Sequence, residues 1–549
     1  MTKARLRLKI IFMNFFMKSM RILFVTLLAL FASTLFSCFN SSGPIETKTS
    51  DWLFLFYFDA DSNLNDSLYG NLRHAEAALA YARNEDGSPA QGYPSMDILV
   101  LWDGISEELK GEAKYMHPDA AVFELGADYG LKAQLENNQF ELGEEWKLSP
   151  NTKDLTQAAR GWLAREPDMG DVKTLEGFLT WAKAYYGAKN VVINLNDHGA
   201  GTHKETYDDS TATSKSLCSD ETNAAITKKS RLLTCKNVKD ALAAAGYTGA
   251  DKPKILWNDL CLQSTAEIVY NWAGCAEYFS ASPNLSVSNY YVYLLGYLKN
   301  SYSALDFGKC VVSSYYNVWK DQTQPHYDSK IHRSSGASMF TWSLISLDQS
   351  KADALKTAVE NFADALLYIK ERDASAFNSV YTNYVKQNKD DLSDCKGLAY
   401  CGTYAFQNDL GWLAKDVEAW AETNSYAQLK KAASELKDLL RHGNDKLIVY
   451  AWGSKRATED SDSAWTKITE KEMYLTGQKD FLTGMDVAVE NTDDIYGLTI
   501  VASGKYYADK SGQIVPIPAE AAPIKNYYDW TGFSQKWGQV INAWMELDT

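Results

Sequence analysis

No CxxC pair occurs among the eight cysteines, which argues against a structural zinc site or a thioredoxin-like redox pair. No HExxH stretch occurs either. His198 and His203 lie five apart in a loop-like segment, and that spacing does not suit a metal-dependent hydrolase. Excess positive charge is missing as well. The formal net charge is −15. The first 37 residues hold six bases and no acids, so the remainder carries −21, which disfavours nucleic acid as a partner. The apolar run Ile22 to Leu30 is too short for a comfortable membrane span. What is abundant is aromatic: 16 Trp and 33 Tyr suit a folded chain rather than a disordered one. At 549 residues more than one core can be buried.

The N-terminus reads as a targeting segment. Six basic residues from Lys3 to Arg21 lead into the short apolar run, which closes at Leu35-Phe36-Ser37-Cys38. Those four residues resemble a bacterial lipobox, and polar Asn40 to Gly43 follow at once like a tether. Residues 1–37 are therefore expected to be a signal peptide, with Cys38 lipidated and residues 38–50 a linker. The expected location is the bacterial cell envelope, lipid-anchored to the membrane. A secreted or periplasmic protein is the alternative.

Two short apolar runs organise the rest. Asn190 to Asn196 stops at Asp197-His198-Gly199, and Lys254 to Trp257 stops at Asp259-Leu260-Cys261, 63 residues beyond His198. Each reads as a buried strand ending in a reactive side chain. In an open α/β sheet, ligands bind in the crevice beyond the strands' carboxyl ends. If the two strands are parallel neighbours, His198 and Cys261 face one crevice as a candidate base and nucleophile.

Further strands are expected at Asp51–Phe58, Met96–Trp102, Glu277–Ser282 and Ser338–Ser346. Helices are expected at Ser67–Asn84, at Lys173–Tyr186 with Gly187 ending it, and at Asn237–Ala245 with Gly246 as its cap. Ser264 to Glu267 reads as a capping box opening a helix through Trp272. Residues 105–165 read as a polar insertion. Beyond Gln349 the texture changes to long amphipathic helices, Ala352–Glu371 and Tyr426–Arg441, and isolated strands at Asp445–Trp452 and Ile495–Ala502. The division expected is a catalytic-type core at 51–349 and an accessory region at 350–549. Asp59, Asp61 and Asn63 alternate as in a calcium loop, but the sixth EF-hand position lacks glycine and the twelfth is Gly70 rather than Glu. The turn reads instead as a strand-to-helix turn with Asp and Asn caps, so no cofactor and no metal are expected, calcium alone being left open.

The ordered set of Phe56–Leu64, Glu166–Phe178, Asp197–Gly201 and Asp259/Cys261/Glu267 resembles the clostripain family of cysteine peptidases, over roughly residues 51–285. The aromatic stretch Tyr527–Trp537 resembles the family's C-terminal segment. The resemblance implies a caspase-like fold, an α/β parallel-rich sheet with helices on both faces, with a mixed α+β C-terminal accessory region. It also implies a peptide or protein substrate, catalysis by His198 and Cys261, and an oxyanion hole from the amides of Gly199 and Cys261. Asp259 would form part of an acidic pocket for Arg or Lys side chains. A second acid is usual after the following strand, and Ser280 to Asn289 contains none. Self-cleavage within 200–235, after Lys204, Lys215, Lys228, Lys229 or Arg231, is a further implication. Cys218 with Cys235, and Cys395 with Cys401, are candidate disulfides, while Cys275 and Cys310 read as buried thiols. The rival reading is a catalytically inactive surface lipoprotein that uses the same fold for binding.

Overall fold

The computed structural model describes residues 47–106, 111, 113–117, 119–137, 142–199, 217–219, 232–283, 286, 291–296, 298–320, 341–385, 407–454, 473–475, 480–482, 496–502, 506–508, 514–516 and 527–547. Cys38, Cys395, Cys401 and the five basic residues named as cleavage points lie outside them.

Ten strands form one sheet: β1 (Lys48–Ala60), β2 (Met96–Gly104), β3 (Ala121–Glu124), β4 (Lys153–Asp154), β5 (Tyr186–Asn196), β6 (Ile255–Asp259), β7 (Tyr278–Ala281), β8 (Thr341–Ser346), β9 (Ile448–Ser454) and β10 (Met473–Leu475). They lie in the order β10-β9-β8-β7-β6-β5-β1-β2-β3-β4. The central five, β7-β6-β5-β1-β2, are parallel. Both flanks are antiparallel.

Parallel strands covered on both faces read as continuous apolar runs, and β1 shows why. Side chains alternate across a strand, so Trp52, Phe54, Phe56 and Phe58 enter one buried layer. Leu53, Leu55 and Tyr57 enter the other. The first layer is closed by α1 (Asn65–Ala82), by Tyr291 and Leu295 of the helix α5 (Tyr291–Gly296), and by α6 (Ala304–Lys320). The second is closed by α2 (Val172–Tyr185), α3 (Cys235–Ala244), α4 (Ala266–Trp272) and α7 (Gln349–Arg372). Each large apolar side chain buried here contributes roughly 1.5–3 kcal/mol. The parallel-rich sheet with helices on both faces is thus the observed architecture. Among the described residues, no helix is long and apolar enough to cross a membrane.

Several local expectations change. The chain enters β5 directly from α2, so Gly187 lies within a strand and does not cap the helix. Thr265, not Ser264, caps α4 by accepting from the Ile268 N–H. The Ser264 hydroxyl is drawn off to the Gly497 carbonyl at 2.7 Å. Gly246 does adopt a left-handed φ of 77° after α3. The insertion at 105–165 supplies the edge strands β3 and β4. Residues beyond 349 supply β9 and β10, and β9 is hydrogen-bonded to β8. Cys218 and Cys235 are both free thiols, so that disulfide is absent. Burial pushes the Cys235 thiol up to about 12.

Candidate active site

β5 and β6 are parallel neighbours in a register that pairs Asn196 with Asp259. His198 stands two residues beyond the first and Cys261 two beyond the second, so both belong to the crevice at the strands' carboxyl ends. Gly199 closes the gap between the two chains. A Cβ added there would lie 2.4 Å from the Cys261 carbonyl oxygen and 2.9 Å from its amide nitrogen. The position therefore needs glycine to let two backbones touch.

His198 is half-buried, and its Nε2 meets Asn63 Oδ1 at 2.5 Å. The amide oxygen is an acceptor only, so Nε2 carries the proton. Asn63 lies in the turn after β1, in the stretch weighed above as a calcium loop. Ser62 in the same turn donates to Asp197 Oδ1 at 3.1 Å. The turn thus orients the histidine from a third strand. Among the described residues, no group of three or more His, Cys, Asp or Glu side chains is arranged to hold a metal.

Cys261 sits on a strained elbow. Leu262, the next residue, has φ 63°, a left-handed conformation that costs a non-glycine residue on the order of 1 kcal/mol or more. The elbow is held on both sides. Gln263 N–H and Ser264 N–H donate to the Ser282 carbonyl at 2.8 and 3.0 Å. Gln263 Nε2 donates to the Cys261 carbonyl at 3.0 Å. From the far end of the chain, Gln407 Nε2 donates to the Leu262 carbonyl at 3.4 Å, and Thr499 N–H to the Ser264 carbonyl at 3.0 Å. Glu267 is fully buried. Its Oε1 accepts from Val501 N–H at 3.0 Å and from the Tyr527 hydroxyl at 2.7 Å. Burial raises the Glu267 carboxyl above the usual range, and its neighbour Tyr527 is raised by burial and by the Glu267 charge.

Asp259 is buried. Its Oδ2 accepts from the Tyr291 hydroxyl at 3.0 Å and from Asn196 Nδ2 at 3.4 Å, and its Oδ1 accepts from the Ser286 hydroxyl at 2.6 Å. Burial and the adjacent carboxylate push the Tyr291 phenol well above its usual range, so it stays a donor. Ser286 also reaches the sulfur. Its N–H points at Cys261 Sγ at 3.2 Å, and the thiol lies 3.8 Å from the Ser286 carbonyl.

All the sequence-derived candidates that are described, His198, Gly199, Asp259 and Cys261, therefore meet at one sheet edge. Sequence reasoning missed Asn63 as a histidine partner, and Asn196, Tyr291 and Ser286 around Asp259. The turn at Asn63 reads in the sequence as Asp and Asn capping, but the helix that follows is capped at Leu64 with no side-chain bond, and Asn63 turns to the histidine instead. Nothing in the spacing announces Tyr291, 32 residues past Asp259.

The sequence model of the Clostripain family matches residues 81–484, well over half of the chain. The chain belongs to the clostripain family. Clostripain of Hathewaya histolytica is 22% identical over 236 residues, 43% of this chain and 38% of that protein. The chain thus spans well under half the length of this curated relative. A secreted C11 cysteine protease from Bacteroides thetaiotaomicron, solved with an irreversible peptide inhibitor, is 12% identical with a TM-score of 0.46, covering 88% of this chain and 99% of that one. An inactive zymogen C11 protease from Parabacteroides distasonis is 14% identical with a TM-score of 0.42, covering 90% and 99%. At those values the architecture rests on this chain's own strand order and register.

Proposed function

We propose that this chain is a cysteine endopeptidase in which Cys261 is the nucleophile and His198 the proton carrier. The observation that carries the reading is the contact of Gly199 with the Cys261 backbone at the carboxyl ends of paired parallel strands, in a chain of this family. Nε2 of His198 is engaged by Asn63, so Nδ1 is the nitrogen assigned to the cysteine side. Nδ1 takes the thiol proton, because the thiolate is the nucleophile. The sulfur attacks the scissile carbonyl carbon. The amides of Gly199 and Cys261 receive the oxyanion, where one lost donor costs on the order of 2.7–4 kcal/mol. His198 then protonates the leaving amine, and water hydrolyses the thioester with the histidine as base.

Cleavage after Arg or Lys is part of the same proposal, with Asp259 as the carboxylate that receives the basic side chain. Self-cleavage within 200–235 and lipid attachment at Cys38 belong to it too. Peptide-library hydrolysis tests the core. Cys261→Ala and His198→Ala are each expected to lose at least about 10⁴-fold in kcat. Hydrolysis by Cys261→Ala at the wild-type rate would defeat the assignment. A wild type that hydrolyses nothing would leave the fold as a binding module. Mass spectrometry of the mature N-terminal peptide tests the anchor: an unmodified terminus elsewhere than Cys38 removes it.

A further inference from the structure

Ser286 touches the two atoms that the proposed reaction needs most. Its N–H lies 3.2 Å from Cys261 Sγ, and its hydroxyl lies 2.6 Å from Asp259 Oδ1. The other carboxylate oxygen is held from the buried side by Tyr291, itself fully buried and accepting from Asn196 Nδ2 at 3.0 Å. Ser286 therefore links Asp259 Oδ1 to the cysteine sulfur. A hydroxyl on a carboxylate is a charge-assisted hydrogen bond, stronger than a neutral one. A substrate carbonyl must come within bonding reach of Sγ, where the Ser286 N–H now stands.

We propose that Ser286 is a specificity-determining residue that stands in for the substrate, occupying the nucleophile and the specificity carboxylate together until a basic side chain displaces it. The inference rests on the reading of Asp259 given above. The coupling follows from connectivity. The hydroxyl and the N–H belong to one residue, so a cation that takes Oδ1 from the hydroxyl also loosens the N–H from the sulfur. A ligand without a cation has no such lever on Ser286.

The test measures iodoacetamide alkylation of Cys261 in the full chain, read by mass spectrometry of its peptide, with and without agmatine as a small guanidinium probe. Ser286→Ala keeps the N–H and loses the hydroxyl. It is expected to alkylate about tenfold faster than wild type, the weight of one hydrogen bond to a charged group. Ser286→Thr restores the hydroxyl and is expected to return to the wild-type rate. Agmatine is expected to accelerate alkylation of the wild type in a saturable way and to leave Ser286→Ala unchanged. A Ser286→Ala rate equal to or below that of the wild type overturns the proposal. A fast Ser286→Ala with no agmatine effect on either protein supports the Ser286 block and overturns the basic-pocket reading of Asp259, so the two failures are distinct.

Discussion

On the cysteine side of the crevice, six hydrogen bonds among the described residues tie the stretch from Leu262 to Glu267 to residues 407–527. On the histidine side, the ring is oriented by Asn63, an exposed residue in a turn. Both catalytic candidates leave parallel strands two residues before, so the strands give them equal placement. What differs is the support behind each. The elbow at Cys261 is strained at Leu262 and must be held in that shape by its surroundings. The brace comes from the far end of the chain, through the antiparallel pair of Gln407–Asp409 with Thr499–Val501. The last third of the sequence is therefore part of what shapes the elbow. For the histidine, the acceptor at Asn63 sets ring plane and tautomer.

Three substitutions sharpen the contrast. Gly199→Ala should have the largest effect, because its Cβ would press on the backbone of Cys261 and displace the amide proposed as an oxyanion donor. The expected loss is about 10²–10³-fold in kcat/KM. A variant with wild-type kcat/KM would show that the two backbones are not in working contact. Asn63→Ala should follow, with roughly a tenfold fall in kcat and an unchanged unfolding midpoint, since the residue is exposed. Thr499→Val should invert that signature. It removes a hydroxyl whose one proton is shared between the Ser264 carbonyl at 3.2 Å and Gln407 Oε1 at 3.1 Å, while the backbone N–H stays. Stability should fall by about 1 kcal/mol, with kcat/KM within about threefold of wild type. If both variants lost activity equally at unchanged melting temperature, the division between a braced nucleophile and an oriented base would collapse.

The strands that carry the site were legible because they are buried on both faces. An unbroken run such as Asp51 to Phe58 has few other readings. His198 and Cys261 were legible because each ends such a run. The brace was not legible. Gln407 and Thr499 are ordinary polar residues, and their partners at Leu262 and Ser264 lie 145 and 235 positions away. Periodicity sees neighbours along the chain and is blind to such pairs. Ser264 and Glu267 matched a capping box locally, yet the tertiary bonds to Gly497, Val501 and Tyr527 outweigh the local ones. The strand at 445–452 was readable as a strand, but its seat beside β8 was not.

The brace also holds a buried acid, which gives the most specific expected effect. Asp409 ends the strand Gln407–Asp409 and caps the following helix, Leu410–Thr423, by accepting from Trp412 N–H at 2.8 Å. It is buried, and burial pushes its carboxyl up to about 7, against the pull of the backbone donors at Trp412, Gly497 and Gly411. The folded state therefore keeps this proton to higher pH than the unfolded chain, whose carboxyl releases it near 3.8. Stability from this group is whole below about pH 4 and is lost as pH rises through about 7. The slope within that window is about 1.4 kcal/mol per pH unit for one proton. Asp409→Asn keeps the cap, because asparagine serves at that position as well as aspartate, and it removes the titration. Glu267 is also raised by burial, so the wild-type curve alone cannot assign the loss, and the difference between the two proteins is the measurement. Melting temperatures at pH 5 and pH 8 should fall further apart in the wild type than in Asp409→Asn, with the variant gaining on the wild type as pH rises. Parallel curves would show that Asp409 is already ionised in the fold and that the brace does not titrate.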